Sequence, residues 1–231
     1  MKLAELREDE IVARLVEGFA AGKNVRVGVG DDCAVIGDAR EKTWQLLKTD
    51  CVIGGIHFLP DAPPEKIGWK AMARPLSDIA AMGGLPQFAL VTIAVPPQME
   101  LQFLKGVYRG IRKAAERFGV TLVGGETSRS PGAIFISVTL TGIVERVRCI
   151  TRAGGRAGDL LYVTGQLGGS IRGKHMTFIP RIEEARWLTK NFSIRAMMDL
   201  SDGLGADLPR LSRASGVSFT LDESTLPITR G

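Results

Sequence analysis

The sequence predicts an α+β fold in which an N-terminal mixed sheet carries packed helices. Strand-like segments precede the first long helix, and strands and helices do not alternate regularly as they do in doubly wound proteins. The chain has 231 residues, of which 45% are hydrophobic and 24% charged. That composition is ordinary for a globular protein of one large domain or two modest ones.

The first third of the chain begins with an amphipathic helix, predicted at residues 8–21 from apolar side chains at helical spacing. Valines alternate along residues 25–29 and predict a strand, and a second strand is predicted at residues 44–47. Residues 65–82 form the next predicted helix. Pro75 lies inside it, removes a backbone donor and is expected to kink or break it.

The middle of the chain combines buried strands with one clear helix. Residues 88–95 and 133–144 are rich in apolar and β-branched side chains, which favours strands. Residues 101–118 carry apolar side chains on one face and basic ones on the other, as a helix packed on a sheet does. A short strand at residues 120–123 is expected to end at the glycines that follow.

A domain boundary is predicted where glycine and arginine concentrate, near residues 146–158. It gives an N-terminal domain at residues 1–147 and an incomplete α+β domain at residues 148–231. The elements predicted in the second domain are a strand at 160–164, a helix at 182–190, a helix ending at 214 and a strand at 217–221.

Charge, hydropathy and cysteines exclude several classes of protein. The net charge of +5 favours phosphate ligands, but no block of like charges or motif indicates nucleic-acid binding. No segment resembles an export signal, and residues 88–95 are too short to span a membrane. Cys33, Cys51 and Cys149 form neither a disulfide framework nor a zinc pattern, so free thiols in the cytoplasm are expected.

Acidic residues recur at predicted turns and helix ends, several of them directly after a hydroxyl residue. They are Asp31, Asp32, Asp50, Asp78, Glu126, Asp199 and Asp202. Any single one is most simply a helix cap. If several converge, two carboxylates ~5 Å apart repel by roughly 3 kcal/mol at an effective dielectric of ~20, and a cation is required. Clustered carboxylates suit Mg²⁺ that enters with substrate phosphates.

Other catalytic signatures are missing from the sequence. There is no Gly-x-x-x-x-Gly-Lys-Ser/Thr loop, no protein-kinase catalytic loop and no Gly-x-Ser-x-Gly elbow. His57 stands alone, and a lone histidine is more often structural than functional. An ATP-using enzyme with this sequence would therefore need a different phosphate cradle.

Six motifs nevertheless occur in an order that resembles a known family. They are Gly-Val-Gly-Asp-Asp-Cys-Ala-Val (28–35), Thr-Asp (49–50) with His-Phe (57–58), Leu-Ser-Asp-Ile-Ala-Ala-Met-Gly (76–83), Gly-Gly-Glu-Thr (124–127), Thr-Arg (151–152) and Asp-Leu-Ser-Asp-Gly-Leu (199–204). Together they resemble the thiamine-monophosphate kinases, in the superfamily of aminoimidazole-ribonucleotide synthetase and selenophosphate synthetase.

The resemblance implies a homodimer through the N-terminal sheet and transfer of the γ-phosphoryl group of ATP to thiamine monophosphate, giving thiamine diphosphate. It also implies roles for individual residues. The implied Mg²⁺ ligands are Asp32, Thr49, Asp50, Asp78, Glu126, Asp199 and Asp202. The implied ATP contacts are Tyr108, Gly125, Arg152 and Ser201, and His57 is implied to contact the thiamine phosphate. Positioning and charge neutralisation are then expected to carry catalysis.

Three departures from the family pattern bear on this interpretation. Lys48 stands where Ser is common, and Glu126 stands where Asp is usual. The chain also ends before the Gly-Gly-Glu-Asp-Tyr-Glu motif and the later aromatic residue that hold the thiamine moiety in the family. The expectation is a fragment or a truncated variant with weak turnover or none.

Two alternatives stand beside the kinase. One is another ATP-dependent enzyme of the same superfamily. The other is a truncated, non-catalytic dimer that binds nucleotide.

Overall fold

A six-stranded sheet forms the centre of the computed structural model, which describes residues 2–19 and 22–229. The strands are β1 (Val25–Val27), β2 (Ala34–Ile36), β3 (Thr43–Ile53), β4 (Leu85–Val95), β5 (Thr121–Arg129) and β6 (Phe135–Glu145). Their order across the sheet is β1-β2-β3-β6-β4-β5. The β4–β5 pair is parallel and the other four pairs are antiparallel, so the predicted mixed sheet is confirmed.

Five α-helices accompany the sheet in the described part of the chain. They are α1 (Glu8–Leu15), α2 (Pro64–Ala81), α3 (Leu101–Phe118), α4 (Ile182–Asn191) and α5 (Leu204–Ser215). The predicted bounds are confirmed for α3, and those of α4 and α5 agree within one residue. Helix α1 ends six residues earlier than predicted, because the chain turns at Gly18 with a φ of 84°; residues 20 and 21 lie outside the described ranges.

Helices α2 and α3 pack against each other at close range because glycines line their contact. A Cβ atom on Gly68 would lie 1.8 Å from the carbonyl oxygen of Val107, and one on Gly110 would lie 1.9 Å from that of Glu65. Neither position has room for a side chain. The two helices and the sheet enclose a hydrophobic core. Ile111 of α3, which is 1% exposed, belongs to this core.

Helix α2 continues through Pro75, so the predicted break was wrong, whereas the predicted kink stays a prediction. A proline inside a helix costs about 3 kcal/mol because one backbone hydrogen bond is lost. Here most of the helix, Pro75 included, is buried between the sheet, α3 and α4. Burial of that surface offsets the lost bond.

Two strands extend past the points where the sequence predicts their ends. Strand β3 continues through Thr49 and Asp50 because all eleven of its residues pair with β6. Strand β5 continues through Gly124, Gly125 and Glu126, in register with Leu90–Thr92 of β4. Pairing with a long neighbouring strand overrides the weak strand propensity of Asp and Gly. The placement of Asp50 and Glu126 at strand ends is therefore corrected.

Two strands predicted in the C-terminal region are not present in residues 22–229. Residues 160–164 and 217–221 have no ladder partner there, and Leu160 and Tyr162 are 78% and 80% exposed. A strand requires a partner for its backbone groups. The pairing seen in this region is a single bridge between Leu167 and Ile228.

The C-terminal region packs on the same core as the sheet. Met176, Ile182 and Ala185 belong to the main hydrophobic cluster, and α4 packs against α2. The boundary at residues 147–148 stays a prediction. No helix in the described ranges is long and apolar enough to cross a membrane.

Candidate metal centre

Three aspartates from separate parts of the chain converge at one end of α2. Asp32 follows the turn after β1, Asp78 lies in the last turns of α2, and Asp199 lies in the irregular segment before α5. One carboxylate oxygen from each lies within 4.8 Å of the others. The fold thus builds an all-oxygen cluster from residues up to 167 positions apart in sequence.

Burial makes this cluster costly to ionise. Asp32 is 1% exposed and Asp78 is 5% exposed. Burial raises the pKa of Asp32 to about 7, although a hydrogen bond from Arg152 opposes the rise. Burial, followed by the charge of Asp199, raises the pKa of Asp78, and burial likewise raises that of Asp199. Each carboxylate therefore disfavours the ionisation of its neighbours.

Two basic side chains neutralise part of the cluster. Arg152 Nη2 lies 2.5 Å from Asp32 Oδ1, and Lys48 Nζ lies 3.1 Å from Asp78 Oδ1. The second oxygen of Asp32, Oδ2, is buried and has no hydrogen-bond partner in the described part of the chain. An unpartnered, buried carboxylate oxygen beside two further carboxylates fits a hard cation such as Mg²⁺.

Asp50 and Thr49 lie near this cluster on β3 but are engaged elsewhere. Arg74 of α2 holds Asp50 through Nη2 at 2.8 Å and Nε at 3.0 Å, both on Oδ1. The hydroxyl of Thr49 accepts a hydrogen bond from Thr139 Oγ1 at 3.1 Å. Asp32, Asp78 and Asp199 are called the aspartate trio below. The structure places Asp50 and Thr49 beside this trio without joining them to it.

Asp202 and Ser201 lie in the exposed turn before α5. Arg210 Nη1 lies 2.6 Å from Asp202 Oδ2. The backbone N–H of Asp202 donates to the buried carboxylate of Asp207 at 3.0 Å. Asp207 thereby fixes the turn that carries both residues, a role that the sequence motif did not indicate.

Tyr108, Gly125 and Glu126 meet in a second place, an open cleft of about 330 Å³ at the β5 edge of the sheet. Glu126 is exposed there and does not belong to the aspartate trio. Gly125 is required because a Cβ atom would lie 1.8 Å from the carbonyl oxygen of Val91. Two of the implied ATP contacts therefore share this cleft, whereas Arg152 lies at the trio.

His57 lies in a basic cluster that the sequence did not reveal. Its Nδ1 accepts a hydrogen bond from the backbone N–H of Ile53 at 3.0 Å. Lys70 Nζ contacts the carbonyl oxygen of His57 at 2.6 Å and Nδ1 of His175 at 2.7 Å. Burial lowers the pKa of His57, and Arg74 and Lys70 lower it further.

Lys70 is 8% exposed, and burial together with Arg74 lowers its pKa to about 8. Lys70, Arg74 and Asp78 follow one another at four-residue intervals on α2, which places them on one face of the helix. That spacing was the signal in the sequence that could have linked the basic cluster to the aspartates.

The amino-acid sequence is similar to that of known proteins. Residues 30–144 match the family described as AIR synthase related protein, N-terminal domain. The thiamine-monophosphate kinase of Rhodopirellula baltica is 40% identical over 212 residues, which cover 89% of this chain and 66% of that protein. The thiamine-monophosphate kinase of Bacillus subtilis is 33% identical over 228 residues, covering 89% and 70%.

A solved structure of AaThiL complexed with AMPPCP and TMP superimposes with a TM-score of 0.87 at 32% identity. It is matched over 100% of this chain and 77% of its own. The chain thus spans about two thirds to three quarters of the length of these relatives.

Proposed function

The chain belongs to the thiamine-monophosphate kinase family, and on that premise we propose that it transfers the γ-phosphoryl group of ATP to thiamine monophosphate. The products are ADP and thiamine diphosphate. The observation that carries the proposal is the convergence of Asp32, Asp78 and Asp199 with a buried, unpartnered carboxylate oxygen. Such a cluster can bind the metal ions that neutralise the charge of the transferring phosphoryl group.

The three aspartates would hold Mg²⁺, and Asp50, Thr49, Glu126 and Asp202 are proposed as further ligands. When bound, the ion supplies charge neutralisation at the transferring phosphoryl oxygens. Asp50 and Asp202 each carry an arginine partner, so they would have to exchange an ion pair for a metal bond. Asp32 Oδ2 would need no such exchange.

Nucleotide binding is proposed for Tyr108, Gly125, Arg152 and Ser201. Gly125 is exposed and lines the cleft together with Tyr108. Arg152 carries a buried Nε without a hydrogen-bond partner in the described residues. Guanidinium groups are suited to phosphate oxygens because they present several donors in a fixed plane.

The acceptor phosphate is proposed to lie at His57. Because Nδ1 of His57 accepts from a backbone N–H, the neutral ring carries its proton on Nε2. The lowered pKa keeps that ring neutral near pH 7. The acceptor oxygen is already anionic at this pH, so His57 needs only to donate a hydrogen bond and orient the phosphate for in-line attack.

We also propose a homodimer formed through the edge of the sheet. Strand β5 is exposed along its whole length, with Leu122 and Val123 41% and 57% exposed, and Phe88 and Leu90 are about half exposed on neighbouring β4. An open strand edge flanked by apolar side chains is a surface that proteins usually cover. A monomeric mass by light scattering at micromolar concentration would contradict the dimer.

Calorimetry of ATP binding, with and without Mg²⁺, tests the nucleotide half of the proposal. We expect heat of binding with Mg²⁺ and little with a chelator, because the aspartates otherwise repel the phosphates. Equal affinity in both conditions would contradict a metal bridge. Chromatographic detection of thiamine diphosphate, made only when both ATP and Mg²⁺ are present, tests the acceptor half.

A further inference from the structure

Lys48 is a partly buried cation beside the aspartate cluster. It lies on β3, one position before Thr49, and its side chain is 24% exposed. Its Nζ lies 3.1 Å from Oδ1 of Asp78, whose side chain is 8% exposed. A lysine side chain is an ammonium at neutral pH, and this one forms an ion pair with Asp78.

The charges in the cluster can be counted from these contacts. The trio carries three carboxylates, and two of them have a basic partner: Arg152 on Asp32 and Lys48 on Asp78. The charge of Lys48 also favours ionisation of Asp199. Basic side chains thus offset part of the negative charge of the cluster before any metal ion binds.

We propose that Lys48 is a built-in cation that takes the place of a second divalent metal ion at Oδ1 of Asp78, while the other oxygen of Asp78 stays available to the ion held by the three aspartates. The inference deepens the proposed function, since it concerns the metal site on which that function rests. A chain with an uncharged side chain at position 48 would leave Asp78 open to a further metal ion. Oδ1 of Asp78 cannot bind a metal while the ammonium lies at hydrogen-bond distance, because the two cations repel and compete for the same oxygen.

This arrangement predicts a particular dependence on metal. The ammonium is attached to the chain, so its charge is present at any Mg²⁺ concentration, whereas a bound ion leaves when Mg²⁺ is low. Ammonium also lacks the octahedral shell through which Mg²⁺ links several oxygens. The chain is therefore expected to hold fewer divalent ions, and to need them less for stability, than its variant without Lys48.

Titration with Mn²⁺, followed by electron paramagnetic resonance and calorimetry, tests this directly. The variant Lys48→Met keeps most of the aliphatic length without the charge, and Lys48→Arg keeps the charge. We expect Lys48→Met to bind about one more Mn²⁺ per chain, or to bind it roughly tenfold tighter. Lys48→Arg should bind as the unsubstituted chain does. Lys105→Met, on the exposed face of α3, is the matched control and should change nothing.

Thermal unfolding in EDTA and in Mg²⁺ is the second measurement. Lys48→Met should unfold at lower temperature than the unsubstituted chain in EDTA and should gain more from Mg²⁺. Unchanged Mn²⁺ stoichiometry and affinity in Lys48→Met, or weaker binding, would overturn the proposal. So would an equal Mg²⁺-induced shift in both proteins. Neither measurement uses ATP or the acceptor, so a chain without kinase activity would still answer the question.

Discussion

The carboxylates of Glu145 and Asp32 both have arginine partners, yet their pKa values are shifted in opposite directions. Glu145, at the end of β6, accepts hydrogen bonds from both terminal nitrogens of Arg186 at 2.6 and 2.7 Å. Those bonds lower the pKa of Glu145 to about 2. Asp32 also has an arginine, but burial raises its pKa to about 7.

The difference lies in how completely each carboxylate is satisfied. Arg186 binds both oxygens of Glu145 and also donates to the carbonyl oxygen of Gly83, so it joins α4 to the sheet. Arg152 binds one oxygen of Asp32 and leaves the other buried without a partner. A carboxylate with both oxygens hydrogen-bonded stabilises the fold. A buried carboxylate with an unpartnered oxygen is unfavourable when ionised, and a bound cation can reduce that cost.

The largest expected effect tests the unsatisfied site. Asp78→Asn should weaken binding of ATP with Mg²⁺ by about a hundredfold or more, because one charged ligand is lost. Its stability in EDTA should change little, because weaker repulsion among the aspartates is opposed by the loss of the ion pair with Lys48. Calorimetry and thermal unfolding measure the two properties, and Asp61→Asn, an exposed aspartate, is the control. If Asp78 were only a helix residue, the change would cost about 1 kcal/mol or less and leave binding intact.

A smaller effect is expected on the free energy of unfolding when pH is changed in the absence of metal. Because the pKa of Asp32 is raised from 3.8 to about 7, the folded chain binds more protons than the unfolded chain between these values. The free energy of unfolding should therefore fall as pH rises through this window, by roughly 4 kcal/mol at most. Denaturant unfolding in EDTA at several pH values measures it.

The variant Asp32→Asn separates this contribution from that of the histidines. His57 and His175 have lowered pKa values and act in the opposite direction below about pH 6.5. The difference between the two proteins should shrink as pH falls toward 4. A difference that does not vary with pH would show that Asp32 does not carry this cost.

The smallest effect is expected at the satisfied site. Glu145→Gln should lower the free energy of unfolding at pH 7 by about 1 kcal/mol, since the side chain is 38% exposed and partly screened. The folded pKa is depressed, so the stabilisation is present above about pH 4.5 and disappears as pH falls toward 2. Glu116→Gln, on the exposed face of α3, should leave stability unchanged. Loss of Mg²⁺ binding in Glu145→Gln would contradict the division between the two sites.

Much of the fold could be predicted from local patterns. Helix α3 matches its predicted bounds because its apolar stripe and the αL conformation of Gly119 are both local features. The strands at 160–164 and 217–221 were wrong because a strand depends on a partner that the pattern cannot supply. The course of β3 through Asp50 likewise depends on β6, almost ninety residues away.

The sequence by itself determined the residue types of the site, the motif order that resembles the family, and the acidic character of the turns. Tertiary structure alone decided which carboxylates meet: Asp32, Asp78 and Asp199 converge, while Glu126 lies on the open edge of the sheet. It also decided which cations reach them, placing Lys48 on Asp78 and Arg74 on Asp50. The physical reason is that residue type follows from local chemistry, whereas charge balance depends on burial and on distances between segments far apart in the chain.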